Sequence, residues 1–404
     1  AHAFYDAPLI ARVTATAWES VDAGTAETAR SLGASPRRAF LDVVLPQLLP
    51  AILTGALLTF IFSFMSFAIV LALGGLSLAT VEVWVFQRVS QLDYETASAL
   101  ATLEMVFSLG LTYAYLRYEA QQRAESAARP PERKPLFGSL NRDRLAVWGY
   151  VAVALLVFVT PMASMVIESV TGPNGFTLDY YRFLIERQTT GADFQIKPLT
   201  AIRNSLLYGA GTLALAVPMG VLLAVVSTRE FPGSKLIDTL SMAPFAVSGI
   251  VVGLGLLRGL VFGTTMFGYR FTVTGAVAVV ASHAVAAYPF VTRNVAPLLA
   301  TIDRSVVESA RTLGASRTRV LVDIELPQVF AGVLAGAAFA FAISIGEFDS
   351  TVILASGSSA YTMPVAIERF LGRRLGPATA MGCVLLFVTA VSFLVIDRLG
   401  DGRG

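Results

Sequence analysis

The sequence predicts an all-α, polytopic membrane protein made of two copies of one unit. Three observations predict it. Hydrophobic residues make up 55% of the chain and charged residues 14%, with a mean hydropathy of +0.67, whereas a soluble globular chain carries roughly 25% charged residues. Several apolar runs reach the ~20 residues a helix needs to cross a bilayer. A polar segment is also written twice: ETARSLGASPRRAFLDVVLPQ starts at Glu27 and ESARTLGASRTRVLVDIELPQ starts at Glu308, 281 residues later and without a gap. His2 and His283, Pro8 and Pro289, Arg12 and Arg293, and Asp22 and Asp303 share that offset.

The apolar runs follow in order. The tail of one run occupies Ala1–Ala17, and the next is Leu48–Leu73. Ala97–Leu116 is weaker because Glu104 interrupts it. After a polar stretch come Leu145–Ile167, Ser205–Ser227, Leu240–Phe262, Phe271–Val291, Val329–Ile345 and Met381–Ile396. The polar stretch, Arg117 to Arg144, holds seven Lys and Arg residues together with Pro130, Pro131 and Pro135, and reads as a cytoplasmic linker. This gives residues 1–116 as the C-terminal part of a first half, 117–144 as the linker and 145–404 as a second half with six spans. In the second half 139 residues separate the linker from His283, whereas one residue precedes His2. If the halves are symmetric, about 140 residues are expected before the first, so that the first half is N-terminally truncated. Counting spans and weighing Lys and Arg puts both repeated segments, the linker and the C-terminal tail inside. Glu168–Pro198, Thr264–Arg270 and Ser356–Pro377 fall outside, the last against the rule because it carries Arg369, Arg373 and Arg374.

Composition also excludes function classes. A net charge of +2, with no basic stripe interleaved with aromatics, argues against nucleic acid as a partner. Cys383 is the sole cysteine, which excludes internal disulfides and cysteine metal clusters. No metalloprotease, nucleophile-elbow or phosphate-loop pattern occurs, so no catalysis, cofactor or metal is expected of this chain. The Gly249, Gly253 and Gly255 stretch lies in an apolar run and reads as close helix packing.

The repeated segment reads as a device. Asp22 and Asp303 suit a helix N-cap, and Gly33 and Gly314 stand where a helix ends in the left-handed region. Between them lies a short helix rich in small residues (Ala26, Thr28, Ala29 and Ser31, or Ser309, Ala310 and Thr312) with one fixed anion, Glu27 or Glu308. Small side chains let a helix sink into a groove on a partner. Ser35 and Ser316 cap a second helix, which Pro36 opens in the first copy. Duplication accounts for two copies. It does not account for the identity being concentrated in a polar segment while the flanking spans differ.

The pattern E-x-A-x-x-x-G followed by L-P resembles the EAA loop of permeases from binding-protein-dependent ABC importers. It is carried by Glu27, Ala29, Gly33, Leu45 and Pro46, and again by Glu308, Ala310, Gly314, Leu326 and Pro327. The resemblance covers essentially the whole chain. It implies two homologous permease halves of the type I ABC importer transmembrane fold in a prokaryotic inner or plasma membrane. It further implies coupling helices docked on two copies of an ATP-binding ABC subunit, and an external solute-binding protein. Fused double permeases are similar to the ferric-iron and thiamine import families, and the segments around Ser344–Phe348 and Thr362–Ile367 look like segments common there. A permease for sulfate, molybdate or polyamine, or a secondary transporter of parallel repeats, is the alternative. For the translocation path the candidates are Ser63, Ser66, Ser344 and Glu347, with Asp349 nearby. An ionisable group in a span points to function, although Glu347 could equally be held by serines or backbone donors. Glu104 is expected to pair structurally or to snorkel, and Asn204 to cap a helix.

Overall fold

Each element of the first copy has a counterpart about 281 residues later; the second copy's first helix starts eight residues earlier than that offset, and its next long helix is broken at Val329. The computed structural model describes residues 1–404 except 20, 22, 76, 123–141, 187–196, 230, 232, 235–236, 238–240, 267, 356, 358–359 and 402–404. Asp22 and most of the linker thus lie outside the described residues. In chain order the first copy consists of α1 (His2–Glu19), α2 (Ala23–Ser31), α3 (Leu45–Phe64), α4 (Ala68–Gly74), α5 (Val81–Ser90) and α6 (Tyr94–Gln122). Then come α7 (Arg142–Ser169), α8 (Asp179–Glu186), α9 (Pro198–Ser227) and α10 (Gly249–Leu256). The second copy follows as α11 (Gly275–Ala300), α12 (Arg304–Thr312), α13 (Phe330–Gly346), α14 (Asp349–Leu354), α15 (Met363–Leu371) and α16 (Leu375–Asp401).

The chain divides into two compact units that cut across the repeat. One is Ala1–Ile69 with Val106–Ser164, and the other is Val70–Met105 with Met165–Gly404. Within the first unit α1 lies along α3. Gly55 lets the two approach: a Cβ there would stand 3.5 Å from the Ile10 Cα, an ordinary contact. Val21, Val44 and Leu48 are buried together below it.

The second unit is built on α9, α11 and α13. Its helices meet at glycines. Cβ atoms on Gly220 and Gly336 would stand 2.5 Å from the Val291 Cβ and 2.8 Å from the Val291 Cα, so this valine is clamped from both sides. Helix association in lipid depends on such close approach of backbones, because lipid is as apolar as the side chains. Thr292 adds a hydrogen bond to the Gly220 carbonyl at 3.1 Å. The first half contributes α5 and the start of α6 to this unit, where Val89 and Tyr94 pack on a core of Tyr208, Leu257, Ala278, Val279 and Leu354.

Among the described residues six helices are long and apolar enough to cross a membrane, or seven if the pair Arg317–Gln328 and Phe330–Gly346, bent by 76°, is one span. The sequence reading is corrected in several places. The run Leu48–Leu73 breaks after Phe64 and resumes as α4. The run Leu240–Phe262 yields a 3-10 turn at Ala243–Ala246 and an apolar helix Gly249–Val261, which is shorter than a span. The weaker expected run Ala97–Leu116, by contrast, is matched by an apolar helix of 22 residues, Tyr94–Tyr115. Two short hairpins, Thr171–Gly172 with Gly175–Phe176 and Thr264–Met266 with Tyr269–Phe271, interrupt an otherwise helical chain.

Candidate functional site: two exposed helices and a buried polar line

The described part of the repeated segment folds alike in both copies. α2 and α12 are nine residues each. Asp303 caps α12 by accepting from the Ser305 N–H at 2.9 Å, and these hydrogen bonds hold its carboxyl below the usual carboxylate range. Each helix ends alike. The Gly33 N–H donates to the Arg30 carbonyl and the Ala34 N–H to that of Ala29, and Gly314 and Ala315 do the same with Arg311 and Ala310. Gly33 at φ +94° and Gly314 at φ +90° occupy the left-handed region, which a side chain makes costly. This six-to-one closure satisfies the orphan carbonyls of the last turn.

The next helical piece is repeated as closely. Ser35 accepts from the Arg38 N–H and Ser316 from the Arg319 N–H, both at 3.3 Å. A π-helical turn follows at Phe40–Val44 and again at Leu321–Glu325. Arg38 pairs with Asp42 and Arg319 with Asp323, both at 3.6 Å. Glu27 and Glu308 are exposed, while Ala29 and Ala310 are half-buried. Leu32 is 84% and Leu313 88% exposed, at the same place in each copy. Sequence reasoning passed over these two leucines. The signal was an apolar residue directly before the helix-ending glycine, where nothing in the chain covers it.

The copies differ one residue before α3 and its counterpart. Glu325 accepts from Arg229 at 3.0 Å and 3.2 Å, whereas Val44 holds the equivalent place. Beside this ion pair a cavity of about 480 Å³ is lined by Glu308, Arg311, Thr228, Leu299 and Ile302.

In the second unit a line of hydrogen bonds runs through the helices. Ser344 meets Thr212 at 3.0 Å and His283 Nδ1 at 2.8 Å, and His283 Nε2 meets Thr351 at 2.8 Å. Glu347 ends α13, and its Oε1 accepts from the Ser350 N–H at 2.9 Å and hydroxyl at 3.0 Å. This is the serine-and-backbone arrangement weighed for it above. Ser63, the counterpart of Ser344, donates instead to Asp6 Oδ2 at 2.9 Å within the first unit, and Ser66 lies in the break after α3. Asn204 is not a cap. It sits inside α9 and donates to the Tyr361 carbonyl at 3.0 Å. Glu104 does not snorkel, because it is 1% exposed. Gly249 and Gly253 do serve close packing: Cβ atoms there would stand 2.8 Å from the Asp349 Cβ and 3.0 Å from the Ser350 Cα.

Helices long and apolar enough to cross a membrane, a buried polar line within the second unit and a repeated exposed helix are features of a membrane transport protein. The family of binding-protein-dependent transport system inner membrane components matches residues 3–124 and 216–402, and the chain belongs to that family. It is the permease subunit of an ABC importer. Its relatives transport different solutes. It is 30% identical over 210 residues to the molybdenum transport system permease protein ModB of Escherichia coli (strain K12), covering 49% of this chain and 90% of that protein. It is 28% identical over 280 residues to the sulfate transport system permease protein CysT of a Synechocystis strain, covering 65% and 93%. Against the ferric transport system permease protein FbpB of Actinobacillus pleuropneumoniae the identity is 24% over 407 residues, covering 98% of this chain and 57% of that protein. Among solved structures, a bacterial alginate ABC transporter in complex with an alginate pentasaccharide-bound periplasmic protein matches with a TM-score of 0.51 and 19% identity, over 63% of this chain and 92% of that one. Family membership removes the secondary-transporter alternative.

Proposed function

We propose that this permease imports a cation, ferric ion first and thiamine second, received from an external binding protein and driven by two copies of an ATP-binding subunit. The observation that carries the driving step is the pair of exposed helices. Two surfaces with the same glycine turn, the same serine cap after it and the same bare leucine fit one partner twice. Glu27, Ala29, Gly33, Glu308, Ala310 and Gly314 then form the coupling surfaces, which face the cytoplasm. ATP binding draws the two ATPase copies together and the helices with them. Because each helix continues through a π-helical turn into a span, the movement reaches the bundle. Hydrolysis resets it on the partner.

The substrate class follows from charge. Glu347 and Asp349 stand at the end of α13 and the start of α14, where an oxyanion such as sulfate or molybdate is repelled and a cation is attracted. The match to the ferric permease over 98% of this chain, though 57% of that protein, supports the same choice. The test is reconstitution of the chain with its ATPase and binding protein in proteoliposomes. ATP-dependent uptake of ferric ion or thiamine, lost in Leu32→Asp together with Leu313→Asp, is expected. ATP-dependent uptake of molybdate or sulfate instead refutes the cation reading, and undiminished ATPase capture by the double variant refutes the docking surfaces.

A further inference from the structure

Glu82 and Glu104 are explained neither by the docking surfaces nor by the hydrogen-bonded line. Glu82 is in the first turn of α5 and Glu104 lies within α6, and they are 0% and 1% exposed. Among the described residues none of their four carboxyl oxygens has a partner in full hydrogen-bond geometry, although each carboxyl lies near enough to the other and to Ser248 to interact. The two side chains face each other and Ser248, and among the described residues no cationic group acts on either. Ser248 caps α10 by accepting from the Val251 N–H at 3.4 Å. The next residue is Gly249, where a Cβ would stand 2.9 Å from Glu347 Oε1 and 2.8 Å from the Asp349 Cβ. The tip of α10 therefore lies between two acidic pairs, one from each half of the sequence.

The repeat shows that the helical framework does not require these acids. The counterparts of Glu82 and Glu104 are Met363 and Leu385, and those of Glu347 and Asp349 are Ser66 and Ala68. Each half carries its pair where the other half is neutral. Burying an ion without compensation costs several kcal/mol even after relaxation. The N-terminus of α10 offers at most about half a charge in return. A pair of buried carboxyls beside a hydroxyl, with no cationic side chain among the described residues to neutralise them, has the chemistry of an oxygen-ligand cation site.

We propose that Glu82 and Glu104, with the Ser248 hydroxyl, form a transit site for a hard, oxygen-seeking cation, which passes the tip of α10 between this pair and Glu347 with Asp349. The proposal rests on the importer reading with a cationic solute. The site is weak by construction. Among the described residues no three His, Cys, Asp or Glu side chains are set to hold a metal, and conduction demands that an ion leave as readily as it enters.

The test uses the full chain reconstituted with its ATPase and ferric-loaded binding protein. Ferric ions moved per ATP hydrolysed should fall at least tenfold in Glu82→Gln with Glu104→Gln. The repeat supplies a second pair of variants, Glu82→Met with Glu104→Leu, which should show the same loss with side chains the framework already accepts. On the wild-type permease alone, terbium(III) luminescence sensitised by Trp84, two residues from Glu82, should appear and should be displaced by ferric ion. Wild-type stoichiometry in both double variants overturns this site while the importer reading stands, as does absence of the terbium signal from the wild type. If the wild type moves an oxyanion and no cation, the cation reading and this site fall together.

Discussion

The two copies of the repeat agree at their short exposed helices and differ in their spans. At the docking ends the hydrogen bonds agree to within about a tenth of an ångström: both glycine N–H bonds are 3.0 Å, and the following alanine bonds are 3.1 Å and 3.0 Å. In the spans the chemistry has been rewritten on one framework. His283 joins Ser344 where the first copy joins Ser63 to Asp6. Val291 is clamped against Gly336 at 2.8 Å where Ile10 stands off Gly55 at 3.5 Å. The bent pair Arg317–Gln328 and Phe330–Gly346 matches an unbroken Pro36–Phe64. A surface that meets the same partner twice has one solution. A bundle that meets one solute on one path can place different groups on its two sides.

Three sets of substitutions break or sharpen this comparison. The largest effect is expected in the spans and should be unequal. Gly336→Ala forces a Cβ onto the Val291 backbone and should cost about 1–3 kcal/mol, whereas Gly55→Ala should be within ~0.5 kcal/mol of neutral. Thermal unfolding of the purified protein separates them, and equal losses would show that the two crossings are alike after all. The next effect is expected at the docking ends and should be equal. Gly33→Val and Gly314→Val each place a β-branched residue in the left-handed region, a strain of about 1–2 kcal/mol with no clash, since nothing lies within 4 Å of either site. Capture of the ATPase by each single variant should fall by the same factor. A large asymmetry would mean that the two copies do not serve the same partner in the same way.

The smallest effect concerns pH. The Asp303 carboxyl is held below its ordinary value by the Ser305 N–H, so its cap stabilises α12 at pH values above the unfolded carboxylate range. That contribution is lost only as pH falls through the lowered folded value. ATPase capture should therefore be flat from about pH 5 to 8, and Asp303→Asn, itself a good cap, should leave it nearly unchanged. A titration in capture within that window would assign the cap another role.

Much of the fold and of the local shape of the repeated segment was legible in the sequence. The turn glycines, Ser35, Ser316 and Asp303 act within four residues of themselves, so spacing alone predicts their bonds. Groups that act across the fold were not legible. Glu82 reads as one acid in an apolar stretch, and Glu104 as a flaw in a weak span. Asn204 looks like a cap until the Tyr361 carbonyl is found 157 residues away. The run Leu240–Phe262 has a span's composition, yet its backbone turns at Ala243–Ala246.

The sequence by itself determined that this chain lies in a membrane, that it is written twice, and that each copy carries a capped helix ending in a glycine turn. Those properties depend on composition and on hydrogen bonds between near neighbours. Only the tertiary structure decided which polar groups meet: His283 with Ser344 and Thr351, and Glu82 with Glu104 at the tip of α10. These meetings depend on where glycines let helix backbones close to contact, and that is a property of pairs of helices far apart in the chain.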